Sequence, residues 1–556
     1  MKTRKMIRRK NTVSALSAVL TIICPGFAMA HETELTPIVV TANPIIDRVR
    51  IDGFSSTSAV VTESQLHDQN AFDLATALRR TPGVQISRYN PVGAFGGDQG
   101  GAVYIRGMGV SRPGSEIKTY INGVPFYMGV WNHPLLDLLP VNGMQSIAVY
   151  KSPQPQINGN NFASINLETR RAIEDGLHAS GRISGGYFST FIEQADLVGR
   201  YGNVDFMLAQ GHAQSNGHRP NANGELNNVM GRIGMRLNAN WSMDTSFLFV
   251  DNQARDPGDN RHPLPAVAPR YNTQAGMVTA FVSHRHDAWR GDLRFYYNKG
   301  EGNWLHQAGL DGDTITNFEM IGMRWKEEFS LWKGGAIVAG LDSDWVSGDV
   351  RFNRLPPAPR DSFDTPTFRV TSPYVALSQK IDLNENWSLV PSVGIRVYDH
   401  SMFHTRTSPH AGPSLIPPLG QTWKQLSAEE LNHAEIGVKL TPVDATQIDI
   451  SLFIDQVKNR FIFGFPPNVP PPPQFLNLGT YSIRGAEIAI RQNIVRHWTV
   501  FGGLTLLDPT IDSLPYAPVF RTTPASGGSR VANCCMALKS HTRMFPGEST
   551  PRSLCS

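Results

Sequence analysis

Ile448-Asp449-Ile450-Ser451-Leu452 sets apolar side chains against polar ones in alternation, and Leu293-Arg294-Phe295-Tyr296-Tyr297 carries a similar rhythm. Successive side chains on a strand point to opposite faces, so each segment presents one apolar and one polar surface. Segments of roughly ten residues recur from Leu177 to Asp508, separated by polar or Gly/Pro-rich stretches. Val204–Gln210, Trp241–Val250, Asp292–Tyr297, Ala336–Trp345, Ile448–Ile454 and Ser482–Ile490 read as such strands. Aromatic residues crowd segment ends at Trp241, Trp289, Trp345, Trp387 and Trp498. Any one segment would suit a soluble β-sandwich or β-solenoid. Repetition with aromatic girdles, behind an export signal, predicts an antiparallel transmembrane β-barrel, apolar outside and polar within. Lipid offers no partner to an open strand edge, so such a wall is expected to close on itself.

The export signal lies at the amino terminus. Lys2, Arg4, Lys5, Arg8, Arg9 and Lys10 form a basic lead, Val13 to Phe27 is apolar, and Ala28-Met29-Ala30 places small residues at a cleavage position. That layout predicts a signal peptide over residues 1–30 and a mature chain from near His31. No stretch of the 556 residues approaches the ~18 unbroken apolar residues of a spanning helix. Gly 50 and Pro 39 suit many turns better than long helices. The formal charge of +4 is misleading, because six of the 51 basic residues lie in Met1–Lys10, leaving 45 basic against 47 acidic residues. A general nucleic-acid binder is therefore disfavoured. Four cysteines do not make a disulfide scaffold.

Between signal and strands lie two further regions. Residues 31–50 form a polar, extended lead containing Thr36-Pro37-Ile38-Val39-Val40-Thr41-Ala42, where Pro37 opposes a helix and the β-branched run favours a strand. Residues 51–173 read as one mixed α/β core. Ser64 to Arg80 predicts a helix with Leu66, Phe72, Leu74, Ala75 and Leu78 as its apolar stripe, ended by Thr81-Pro82-Gly83. Val84-Gln85-Ile86, Val103 to Gly107, Lys118 to Gly123, Ser146 to Tyr150 and Ile165 to Thr169 read as strands.

This order of parts resembles the TonB-dependent receptors of Gram-negative outer membranes, of the siderophore-receptor type. Thr36 to Ala42 is similar to the TonB box. Ala71-Phe72-Asp73-Leu74 through Gly83-Val84 resembles the helix and turn of the plug domain, and Val103-Tyr104-Ile105-Arg106-Gly107-Met108-Gly109 its "IRG" segment. Tyr120-Ile121-Asn122-Gly123-Val124-Pro125 resembles the "DGVP" segment with Asn122 in place of the acid, and Ile147 to Pro153 the "IEVxKGP" strand with Ser152 where glycine is commoner. Ile483-Arg484-Gly485-Ala486-Glu487 matches a barrel motif of the "RGxE" type. Ile157-Asn158-Gly159-Asn160-Asn161-Phe162 departs from the glycine-rich passage usual at that place.

The resemblance implies a plug at 51–173 inside a barrel of about 22 strands that begins at 174. It implies energy-coupled uptake of a scarce ligand, most often a ferric siderophore, with cobalamin, copper, haem or a carbohydrate as alternatives. The expected partners are TonB with its inner-membrane energising complex, outer-membrane lipid and a small ligand; the expected location is the outer membrane. The seven-residue box would add a strand to a sheet edge of TonB, with Ile38 and Val40 on one face. Arg106, Gly107, Asn122 and Gly123 are the plug-motif residues, structural or gating, with Arg106 expected to meet barrel-wall carboxylates. Tyr89, Phe95, Phe126, Tyr127, Trp131 and His133 lie on expected loops, facing ligand or packing on the wall.

Catalysis has no visible constellation: Cys-x-x-Cys, His-Glu-x-x-His and Gly-x-Ser-x-Gly are absent, so no enzyme, cofactor or metal site is expected. A non-transporting adhesin or structural barrel is the alternative of another class. The alternating pattern supplies roughly 15 candidate strands up to about residue 520. Residues 521–556, with Cys534-Cys535 and Cys555, read as an aberrant tail. A truncated frame with out-of-frame residues would account for this and predicts an incomplete, inactive barrel; a smaller barrel with an appended tail is the alternative.

Overall fold

The computed structural model describes residues 48–540 except 52–56, 95–101, 109–116, 132–137, 154–157, 160, 258–266, 308–311, 359, 380, 385–386, 390–391, 410–412, 415–428, 444, 459–460, 465–473, 478–479, 496–497 and 514–530. The signal, the Thr36–Ala42 box and residues 541–556 lie outside the described residues.

The N-terminal block is a six-stranded mixed sheet. Its order is Arg48–Ile51, Thr57–Thr62, Met144–Tyr150, Ala163–Thr169, Ile117–Ile121, Val124–Pro125. Ile117–Ile121 runs parallel to Ala163–Thr169, and the other neighbours are antiparallel. Ala59, Val61, Ile147, Val149, Ile165 and Leu167 have no exposed surface and pack with Leu74, Ala77 and Leu78. Val84–Ser87 and Ala102–Ile105 form a separate hairpin-like pair.

The single helix expected over Ser64–Arg80 is two short ones, Glu63–Asp68 and Leu74–Leu78. Two capping boxes decide this. Thr62 with Gln65 starts the first helix, and Asp73 with Thr76 starts the second. Asn70 between them takes φ +51, a left-handed turn that Asn tolerates and a helix does not.

Strands of up to 21 residues build the wall, with a few short ones of two or three. Twelve, from Gly176–Gly186 through Ser392–His400 to the short Arg406–Ser408, make one sheet. Six more make a second: Pro413–Ser414, Glu429–Val443, Thr446–Lys458, Thr480–Val495, Trp498–Ser513 and Val531–Ser540. Neighbouring wall strands pair antiparallel, as expected of the barrel. The last strand lies within the stretch read from sequence as a tail, and it pairs with Trp498–Ser513 from Leu507↔Val531 to Trp498↔Ser540. Many strands exceed the ~10 residues that cross hydrocarbon, so their ends reach past the bilayer.

Connections separate the two ends of the wall. At one end they are brief, as at 202–203, 237–240, 286–288 and 333–334; at the other, 216–223, 256–269 and 354–360 are longer. Trp241, Trp289 and Trp332 sit beside the brief connections, partly exposed, while Trp345 lies mid-strand opposite Ile321. Along Trp241–Arg255 exposed and buried residues alternate: Phe247 and Phe249 face out, Leu248 and Val250 face in. Val278, Val282, Phe295, Ile321 and Trp325 extend the outward apolar belt on the next strands. Such a surface would be costly in water and suits lipid.

Candidate functional site

A buried charge cluster around Arg106 joins block and wall. Ala102–Ile105 ends in a turn in which Arg106 (φ +52) and Gly107 (φ +79) both adopt left-handed backbone. The Arg106 amide donates to the Gly83 carbonyl at 2.8 Å, tying this turn to Thr81-Pro82-Gly83. Its side chain has no exposure and reaches three wall strands. Nη2 meets Glu435 Oε1 at 2.7 Å, and Nε meets Glu487 Oε1 at 3.0 Å. Nη2 also donates to Ser451 Oγ at 3.0 Å and Nη1 to the Lys151 carbonyl at 3.2 Å. Lys151 Nζ takes the other oxygen of Glu487 at 2.7 Å.

Two cations thus face two carboxylates, all nearly without solvent. Burial pushes the Lys151 ammonium down, against the pull of Glu487. A cluster of this kind adds little net stability over apolar packing, but removing one member strands the others. Glycines make room for it. A Cβ at Gly83 would come within 2.2 Å of Glu487 Oε1, and one at Gly485 within 2.2 Å of the Phe453 ring. That ring in turn lies 3.9 Å from the Arg106 guanidinium, within cation–π reach. The sequence singles out Arg106 and quotes Lys151 and Glu487 only as parts of motifs; it gives no sign of Glu435. Glu435 sits in a strand without a recognisable motif, 329 residues from its partner.

Asn122-Gly123 forms the two-residue link between Ile117–Ile121 and Val124–Pro125, with φ +50 and +73. Positive φ at both positions is the demand of a tight hairpin turn that Asn-Gly meets. The Asn122 side chain accepts from the Thr169 amide and donates to its hydroxyl, both at 3.0 Å. On the wall side, Arg294 donates to the Asn122 carbonyl, and Asn298 donates to the Pro125 carbonyl at 2.9 Å. The turn is therefore a hook on the strand Trp289–Gln307.

The aromatic residues separate in position. Phe126 has no exposed surface and packs in the core, so in this structure it does not face a ligand space. Its backbone explains this, since the Phe126 amide donates to the Thr119 carbonyl at 3.0 Å and turns the side chain inward. Tyr127 is half-buried, with Lys118 Nζ 5.6 Å from its ring. Burial pushes the Lys118 ammonium down to about 8. Tyr89 is exposed and lies 5.6 Å from the Arg219 guanidinium. Trp131 ends a short 3-10 turn, Gly129–Trp131. Phe95 and His133 lie outside the described residues.

A second ionic network, missed from sequence, lines the wall beside Ile117–Ile121. Arg324 bonds Asp342 at 2.6 Å and Asp344 at 3.1 Å, and Arg396 shares Asp342 at 2.6 Å. Tyr120 of the block lies 5.9 Å from the Arg324 guanidinium. Near the Asn122 hook, block and wall leave a cavity of about 370 Å³. Three ion pairs line it: Arg171–Asp244 (3.0 Å), Arg290–Glu328 (2.5 Å) and Arg294–Asp292.

Comparison with known proteins places these features. The family description "TonB-dependent Receptor Plug Domain" matches residues 49–164, and "TonB dependent receptor-like, beta-barrel" matches 186–534. No match was found among curated protein sequences. Among solved structures, the alcaligin outer-membrane receptor FauA of Bordetella pertussis is similar over 92% of this chain and 90% of its own, at 14% identity and TM-score 0.64. The ferric yersiniabactin uptake receptor FyuA of Yersinia pestis is similar over 87% and 83%, at 13% identity and TM-score 0.65. The ferripyoverdine receptor of Pseudomonas aeruginosa is similar over 88% and 74%, at 13% identity and TM-score 0.64. At such identities the likeness shows the fold.

Proposed function

This chain belongs to the TonB-dependent receptors of the outer membrane, and from that membership we propose that it imports a ferric siderophore with energy drawn from TonB. The observation that carries the reading is the buried clamp of Arg106 and Lys151 on Glu435 and Glu487. A plug held by balanced charges stays shut without ligand or pull, yet contains no covalent obstacle to release. Three similar structures are named for iron chelates, alcaligin, yersiniabactin and pyoverdine, which supports a ligand of that class.

In this reading Thr36–Ala42 adds a strand to TonB, and main-chain hydrogen bonds transmit the pull. Tyr89, exposed and with Arg219 beside it, is the aromatic assigned in this reading to meet an anionic chelate. The test is iron-limited growth of cells that make this receptor alone, fed in turn with ferric hydroxamate, ferric catecholate, haem, cobalamin, copper or carbohydrate. Growth on a ferric chelate, lost on deletion of Thr36–Ala42 while surface binding survives, is the expected result. Binding without uptake, indifferent to that deletion, would identify a non-transporting adhesin instead.

A further inference from the structure

The cavity beside the Asn122 hook has a place and a charge pattern that the clamp does not explain. It lies on the inner faces of four consecutive strands, Trp241–Arg255, Arg270–Arg285, Trp289–Gln307 and Gly312–Trp332. Ser242, Ser283, Arg285, Arg290 and Glu328 among its lining residues lie within a few positions of the brief connections 237–240, 286–288 and 333–334. Brief connections mark the periplasmic end of an outer-membrane barrel. The cavity is thus on the exit side of the plug.

Its charges do not cancel. Once the three lining ion pairs are set aside, Arg285 and Lys326 have no carboxylate within ion-pair distance among the described residues, and Glu168 is the one lining carboxylate without a cation at that distance. Asp244, 5% exposed, also keeps Oδ1 buried without a hydrogen-bond partner among the described residues, so the lining retains an acceptor for a solute that carries a donor. A guanidinium on Arg270–Arg285 and an ammonium on Gly312–Trp332, with one strand between them on the same wall, attract oxyanions more strongly beside protein than they would in open water.

We propose that this cavity is an anion subsite on the exit side of the receptor, taking an oxyanion-bearing solute of carboxylate or phosphate type between Arg285 and Lys326. The passage of cargo through it rests on the transport reading above; the anion preference does not.

The test uses the full chain in detergent with Ser283→Cys, a lining position. Its thiol is modified with an anionic sulfonatoethyl or a cationic trimethylammonioethyl methanethiosulfonate. Rates are normalised to a free thiol and corrected for the native cysteines. The anionic reagent should be favoured about tenfold by the local field, and inorganic phosphate should slow it. Adding Arg285→Gln and Lys326→Gln should bring the ratio near one. Equal rates, or a preference for the cationic reagent, would overturn the proposal, as would a ratio unmoved by removing both cations. Ser242→Cys, across a 2.8 Å hydroxyl contact from Ser283, reads the same cavity if the first variant fails to fold. Because no import is measured, a receptor that fails to transport leaves this result interpretable.

Discussion

The plug meets its wall in two unlike ways. Against Glu429–Val443, Thr446–Lys458 and Thr480–Val495 it is fixed by a dry, charge-balanced cluster in which Arg106 and Lys151 share Glu487. Against Trp241–Arg255 through Gly312–Trp332 it is held near the Asn122 turn by hydrogen bonds from Arg294 and Asn298 and by the Arg171–Asp244 ion pair, beside a polar cavity. One sector resists separation because each charge left behind would be buried alone. The other carries a single plug-to-wall ion pair beside the cavity among the described residues, so separation there leaves fewer charges buried alone.

The largest expected effect is on the tight side. Glu487→Ala leaves Arg106 and Lys151 without their shared carboxylate and should destabilise plug seating by about 3–5 kcal/mol, read as loss of protease protection in urea titrations. If Glu487→Ala costs no more than Arg294→Ala, the contrast between sectors is wrong. Gly485→Ala comes next. Its Cβ would displace the Phe453 ring from Arg106, for about 1–3 kcal/mol in the same titration.

Gly123→Ala tests the loose side through backbone. At φ +73 an L side chain costs about 1–2 kcal/mol, and the Arg294 hook must shift; unchanged stability would show that the turn relaxes freely. Smallest of all is Arg294→Ala, which removes the hydrogen bond to the Asn122 carbonyl and, within the wall, the ion pair to the part-exposed Asp292; plug seating should weaken by about 1 kcal/mol, with protease sites in the plug exposed first on that side.

What the sequence made legible follows the reach of each interaction. Alternation is a property of neighbours two apart, so the wall strands could be read segment by segment. The turns at Gly83, Arg106-Gly107 and Asn122-Gly123 are also local demands on φ, and the residues that satisfy them stand out. Glu435 did not, because nothing in its strand points to an arginine 329 residues earlier. The helix over Ser64–Arg80 misled through its apolar spacing, while the caps at Thr62 and Asp73 carried the true boundaries. Val531–Ser540 escaped notice because apolar residues occupy both parities, as in Val531, Ala532, Cys534, Cys535, Met536, Ala537 and Leu538, and blur the alternation. Phe126 looked like a loop aromatic because the hairpin that turns it inward depends on Thr119, seven residues before it.

The register of the clamp strands has a consequence for assembly. Glu435 pairs with Phe453 and Phe453 with Gly485, while Ser451 pairs with Glu487, so the two carboxylates face inward only in this alignment. Sliding any of the three strands by one residue would turn its polar partner toward hydrocarbon and leave Arg106 facing apolar side chains. The same groups that hold the plug therefore meet only when the wall strands are in this register.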